Sequence, residues 1–177
     1  MRETAQDLAR LQALLDRSYE AAGAHLRDVI TPERRLTAEQ LSGLLEGMCL
    51  LTLATVTADG RPISAPVDGF FYRGEWYFGS SDHSMRFGHL RKRPHVSATY
   101  LPGEELSVTS HGRALEVDVA THDGGGLREV LLDCYAERFG EAASAIFEGP
   151  GVAYARIQAE RMFTFHLDPA EAAPQPS

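Results

Sequence analysis

Residues 48–100 read MCLLTLATVTADGRPISAPVDGFFYRGEWYFGSSDHSMRFGHLRKRPHVSATY, and the fold can be worked out from this stretch. An apolar, β-branched run from Cys49 to Thr57 meets Asp59-Gly60, a dipeptide suited to the positive φ angles of tight hairpin turns. A second extended run, Pro62 to Tyr72, follows. The turn Arg73-Gly74-Glu75 then leads into a third strand, Trp76 to Gly79. After the polar loop Ser80-Ser81-Asp82-His83-Ser84, Ser84 is placed to cap a short helix from Met85 to about Arg91. Pro94 ends that helix and opens a fourth strand, His95 to Leu101.

The loop hydroxyls, the capped helix start and Arg86 in its first turn form a candidate anion pocket. Free N–H groups and the helix dipole favour a phosphate, and a guanidinium can bind one bidentately. Ser-rich loops before helices are also ordinary caps, the bland reading of the same residues.

Outside this stretch, Met1 to Ile30 places Leu8, Leu11, Leu14, Leu15, Ala21, Ala22 and Leu26 at helical spacing among charged residues, the pattern of an amphipathic helix interrupted at Thr31-Pro32. A second helix is expected from Thr37, where Gln40 completes a capping box, to Gly47. These helices, residues 1–36 as an extension and the remainder attached to the barrel domain 37–168, would cover one end of the fold, contact a partner subunit, or simply extend the chain. The sequence does not choose among these. The fifth strand, Leu106 to Val119, contains Gly112, a mark of a bulge or of a close approach. A helix from Leu127 to Gly140 and a last strand from Val152 to Leu167, interrupted near Glu160, complete the chain, and the tail 169–177 is expected to be disordered. Six strands with hairpin connections and flanking helices predict a mainly β fold, a small antiparallel barrel.

The chain has 177 residues, 44% of them apolar, enough for one substantial core. A formal net charge of −8 argues against a nucleic-acid surface. Arg91-Lys92-Arg93 is the one dense basic cluster, read as a helix end complementing the dipole. Cys49 and Cys134 have neither metal nor redox spacing and are expected as buried free thiols. The seven histidines show no ligand spacing, so no metal site is expected. With no leader pattern and no apolar run that spans a bilayer, a cytoplasmic location is expected.

The order LATV-x-x-DG-x-P, then P-V, G-x-x-YF and S-x-R-x-x-x-L-R-x-x-P-x-V-S resembles the pyridoxamine 5′-phosphate oxidase-like family of FMN-binding split β-barrels. The resemblance covers roughly Leu44 to Val119 and, more weakly, Tyr154 to Leu167. It implies a six-stranded antiparallel split barrel, a homodimer with flavin sites between subunits, and an oxidoreductase in which hydride passes through flavin N5 to a small molecule, with a nicotinamide as a possible donor. Carried over residue by residue, Ala65, Pro66, Val67 and Asp68 would lie along the isoalloxazine ring. Gly79 and Ser80 would sit near the ribityl chain, and Ser84, Met85 and Arg86 would hold the phosphate. Ser107 would be a polar flavin contact. His111 has the parity of Ser107 and would act as a proton donor, against the bland reading of a surface histidine.

Departures from the family pattern matter as well. Arg86 stands where many members have lysine, and Ala65 where true pyridoxamine-phosphate oxidases have arginine. Their Arg- and Trp-containing C-terminal segment has no counterpart, so vitamin salvage is not expected. Two rivals remain: a deazaflavin-dependent reductase, which would need extra cations around the groove, and a non-catalytic flavin or haem carrier, which for haem would need a histidine such as His111 or His166.

Overall fold

The computed structural model describes residues 2–147 and 150–170. The expected disordered tail lies, from residue 171 onward, outside the described residues. Among these residues six antiparallel strands, β1 (Met48–Val56), β2 (Pro62–Tyr72), β3 (Glu75–Ser81), β4 (His95–Tyr100), β5 (Leu106–Val117) and β6 (Val152–His166), close into a barrel in the order β1-β2-β3-β6-β5-β4. The barrel shuts where β4 pairs with β1, Leu53 opposite Ala98.

The turns explain the order. Gly60 takes φ +84 at the predicted β1–β2 hairpin, and Val56 pairs with Pro62 across it. At the β2–β3 turn both central residues have positive φ, Arg73 at 52 and Gly74 at 79, as a two-residue turn between twisted strands demands. This tight turn is why β3 begins at Glu75, one residue before the expected start. Arg73 pays the steric cost of a left-handed conformation. Its guanidinium lies 3.3 Å from Asp7 of the N-terminal helix and 3.3 Å from Asp123 in the segment after the fifth strand, which tie the hairpin to both.

Alternation sorts β1, β4 and β5 into two faces. Leu51, Leu53, Ala98 and Val108 are buried in the barrel, while their neighbours in sequence point outward. On β6, His111 of β5 faces Arg161 while Gly112 faces Ala159, so Glu160 is the extra residue of a bulge, where an interruption was expected. Gly112 is required there, because a Cβ would lie 2.1 Å from the Gln158 carbonyl oxygen.

The amphipathic N-terminal run forms two helices rather than one, α1 (Ala5–Glu20) and α2 (Ala24–Val29), with Gly23 as the N-cap of the second. The predicted capping box is present at α3 (Ala38–Leu44), where Gln40 N–H donates to Thr37 Oγ1 at 3.2 Å. That helix ends three residues before Gly47, which turns the chain into β1 with φ +69. Pairing of β3 with β6 stops at Ile157, which leaves the later edge of β6 without a strand beside it. Side chains of α1 take over: Met162 N–H donates to Ser18 Oγ at 3.0 Å, and Thr164 N–H donates to Tyr19 Oη at 2.8 Å. Tyr19 in turn donates to the Thr164 carbonyl at 2.7 Å. The N-terminal helix thus covers the free edge of β6.

Two more helices, α5 (Gly126–Phe139) and α6 (Ala143–Phe147), follow β5, and α4 (Met85–Leu90) follows β3. α5 and α6 bury a second apolar cluster against the outside of the barrel, in which Leu127, Leu131 and Tyr135 meet Phe70, Tyr72 and Tyr77.

Candidate functional site

Strand β2 has two halves. Toward its end, Phe70 and Tyr72 lie under α5. Toward its start, Pro66 is exposed and pairs with Thr52 of β1, and Ser64 pairs with Ala54. Antiparallel partners share a face, so the outward row continues from Thr52 to Thr99 of β4 and Thr109 of β5. The next row runs from Ala54 to Ser97 and then His111. The outer surface of four strands is thus a plate of small and hydroxyl-bearing side chains. Thr99 and Thr109 hydroxyls pair across it at 3.1 Å. Leu50 and Leu101, 63% and 64% exposed, stand beside it, uncovered by the described residues.

Arg86 joins this plate to the loop after β3. Its Nη2 donates to the Pro66 carbonyl at 2.9 Å, which fixes the first turn of α4 against β2. Among the described residues no carboxylate pairs with Arg86, although burial lowers its pKa from the ordinary guanidinium value. Ser84 Oγ accepts from Phe87 N–H at 3.3 Å, as an N-cap does, and Ser84 N–H donates to the Ser81 carbonyl at 3.0 Å. Met85 is 76% exposed.

The other residues expected at the site are spread along the same strands. Val67 is buried opposite Leu51, and Ala65 has the same inward parity, so each presents only its backbone to the outside. Asp68, half-buried opposite Leu50, points outward near the edge of the α5 cluster, where burial raises the pKa of Tyr135 and the Asp68 charge adds to it. Gly79 pairs with Tyr154, and a Cβ on it would lie 2.7 Å from that ring, so aromatic packing alone accounts for this glycine. Ser80 is half-buried on β3 beside Ala153. Ser107 and His111 share the outward face of β5. His111 is exposed, and its Nδ1 hydrogen-bonds Ser97 Oγ at 2.6 Å. From β2 to β5 is three strand spacings, about 14 Å along the sheet, so His111 closes the far side of the plate from Arg86.

Sequence reading missed the threonine and serine rows. Their signal was present in the alternation Thr52-x-Ala54, Ser97-x-Thr99 and Ser107-x-Thr109, small or hydroxyl-bearing at every second position. The basic cluster after α4 is engaged within the fold. Arg91 forms a bidentate pair with Glu116 at 2.7 and 3.0 Å, and Arg93 Nε donates to the Val56 carbonyl at 2.9 Å. Cys49 and Cys134 are buried free thiols, as expected.

No family model matches the sequence, and no curated protein does. Solved structures do match. HutZ, the haem storage protein of Vibrio cholerae, superposes with a TM-score of 0.58 at 24% identity, over 75% of this chain and 98% of its own. A conserved hypothetical protein from Mycobacterium tuberculosis gives 0.56 at 19% identity, over 90% and 93%. A Listeria innocua protein provisionally assigned as a pyridoxamine 5′-phosphate oxidase gives 0.50 at 15%, over 64% and 85%. The chain has the split-barrel fold. The match to HutZ extends over nearly the whole of that protein, so the split barrel is the body of this chain, and α1 to α3 are packed onto it through the shared core of Leu15, Leu41 and Met162.

Proposed function

We propose that this split barrel binds FMN on the outer plate of β1, β2, β4 and β5 and works as a homodimeric oxidoreductase. The observation that carries the reading is Arg86: a partly buried guanidinium without a carboxylate partner among the described residues, in a chain of net charge −8, bonded to the backbone of the strand that borders the plate. A cation with no carboxylate partner among the described residues is suited to an anion from outside, and a phosphate satisfies the donors that Pro66 does not use. Ser80 and the Ser84 loop would adjoin that phosphate, and the small side chains of Pro66, Thr52 and Thr99 leave room for a flat ring. The backbone of residues 65–68 would run along that ring, with Ser107 at its polar margin.

When bound, flavin supplies the hydride chemistry; the protein supplies position, exclusion of water and a proton. His111 is the proton-holding group in this reading. Ser97 fixes its Nδ1, and Nε2 carries no protein partner among the described residues. The uncovered Leu50 and Leu101 support a second copy of the chain as the lid of the plate, which would make two equivalent sites. A nicotinamide donor would dock transiently at the flavin.

Of the alternatives, a deazaflavin with a longer acidic tail would need further free cations, whereas Arg91 and Arg93 beside α4 are already engaged. A haem reading draws on the likeness to HutZ and on the exposed His111. Titration of the purified protein with FMN and with haem, followed by visible absorbance, separates the readings. Saturable FMN binding that weakens by about 1.5–3 kcal/mol in Arg86→Ala is expected. A Soret band that vanishes in His111→Ala, without FMN binding, would replace the flavin reading with the haem one.

A further inference from the structure

The plate has a second charged margin, across it from Arg86. Pairing continues the row of Ala54, Ser97 and His111 onto β6, where Arg161 stands opposite His111. Opposed residues share a face and lie about 5 Å apart, so the Arg161 side chain leaves the barrel beside the imidazole. Two residues along β5, Arg113 has the same outward parity, about 7 Å from His111. Both arginines are exposed. The bulge decides which side chain joins this row. Arg113 faces Gln158 and Gly112 faces Ala159, so an unbroken register would set Glu160 opposite His111; the extra residue sets Arg161 there instead.

Neither guanidinium is engaged within the fold. Among the described residues, Arg113 and Arg161 form no ion pair and no side-chain hydrogen bond. The first carboxylate beyond Arg113 on β5, Glu116, is held by Arg91 at 2.7 and 3.0 Å. From Ser107 to Arg113 the outward positions of β5, and those of β4 that face them, carry no acid. In a chain with 25 Asp and Glu against 17 Lys and Arg, this is an acid-free surface with two open cations. They stand too far from Arg86 to share its anion, since β5 lies about 14 Å from β2 along the sheet and β6 one strand further.

We propose that Arg161 and Arg113 form the subsite of an anionic acceptor, a small molecule whose carboxylate or phosphate lies between the two guanidiniums and beside His111. Each guanidinium can grip such a group bidentately. Ser97 at Nδ1 and the edge of the Phe163 ring, 6.3 Å away, fix the imidazole next to the bound group. A neutral molecule of the same shape gains nothing from either arginine. The role as seat of the acceptor rests on the flavin reading above; the capture of an anion does not.

Calorimetric titration of the purified full chain, with and without saturating FMN, tests the subsite with benzoate and phenyl phosphate as probes and benzamide as the neutral counterpart of benzoate. Saturable binding of at least one anion, and none of benzamide, is expected in both states. Arg161→Gln and Arg113→Gln, at exposed positions that leave the fold intact, should each weaken it about tenfold while FMN affinity stays at the parent's value. Arg86→Ala should leave the anion affinity unchanged. Equal binding of benzamide, or no saturable anion binding in the millimolar range, overturns the proposal. So does an anion affinity kept in both glutamine variants and lost in Arg86→Ala, which places the anion at the flavin phosphate position. FMN binding without anion binding leaves the flavin reading standing and removes the subsite; anion binding in a chain that takes no FMN keeps the subsite and removes the flavin reading.

Discussion

The outward face of β2 changes character along its length. Its second half offers Phe70 and Tyr72, which α5 and α6 cover with Leu127, Leu131 and Tyr135. Its first half offers Ser64 and Pro66, and the rows they begin continue through Thr52, Thr99 and Thr109 outside the α5 and α6 cluster. The same sheet is therefore closed by large aromatic residues in one region and kept open by small ones in another. The difference teaches where to look for function: a surface that the chain has the means to cover, and leaves uncovered, is a surface for something else.

The largest effect should come from the covered region. Leu131→Ala removes a fully buried side chain from the α5 cluster and should cost about 2–5 kcal/mol, read as a fall in thermal midpoint. A variant as stable as the parent would show that α5 is not part of the cooperative unit, and the comparison would fail. On the open side, His111→Ala should leave FMN affinity in place and slow donor-dependent flavin reduction by about 10²-fold or more. A rate equal to the parent's would remove His111 from the chemistry.

Tyr19→Phe tests a third kind of surface, the free edge of β6. Loss of the hydroxyl strands the buried N–H and carbonyl of Thr164 and should cost about 1–3 kcal/mol in chemical denaturation, more than an exposed hydroxyl would. The smallest effect on stability belongs to Leu50→Ser on the open face, expected within about 0.5 kcal/mol. Its consequence should appear instead in sedimentation, as a shift from dimer to monomer. A stability loss as large as that of Leu131→Ala would mean that the open face is packed within the chain.

Much of this fold was legible because local chemistry decided it. Asp59-Gly60 and Arg73-Gly74 demanded turns, Ser84 and Thr37 were caps, and the period-two strands between them left few ways to close a sheet. The break in the N-terminal run at Gly23 was hidden, because the apolar spacing continues through it into α2. The edge-capping role of Ser18 and Tyr19 was hidden for a different reason: it depends on where β3 stops pairing with β6, which no local pattern records. At the site, Arg86 could be named from its motif, yet its bond to the Pro66 carbonyl and its lack of a carboxylate partner are properties of the assembled barrel. The threonine rows were written in the alternation, but their meaning as one plate needed the register of four strands.

The bond between Tyr19 and Thr164 joins residues 145 apart in the chain. During synthesis, α1 is complete long before its partner strand exists. Its bonding partners on β6 come last among the strands in the chain, and β6 is also the strand that joins β3 to β5. Contacts of such long range are slow to form, and until they do, the β6 edge is a template for any other extended chain. The same tyrosine that finishes the native molecule thus occupies backbone groups that another extended chain would otherwise pair with.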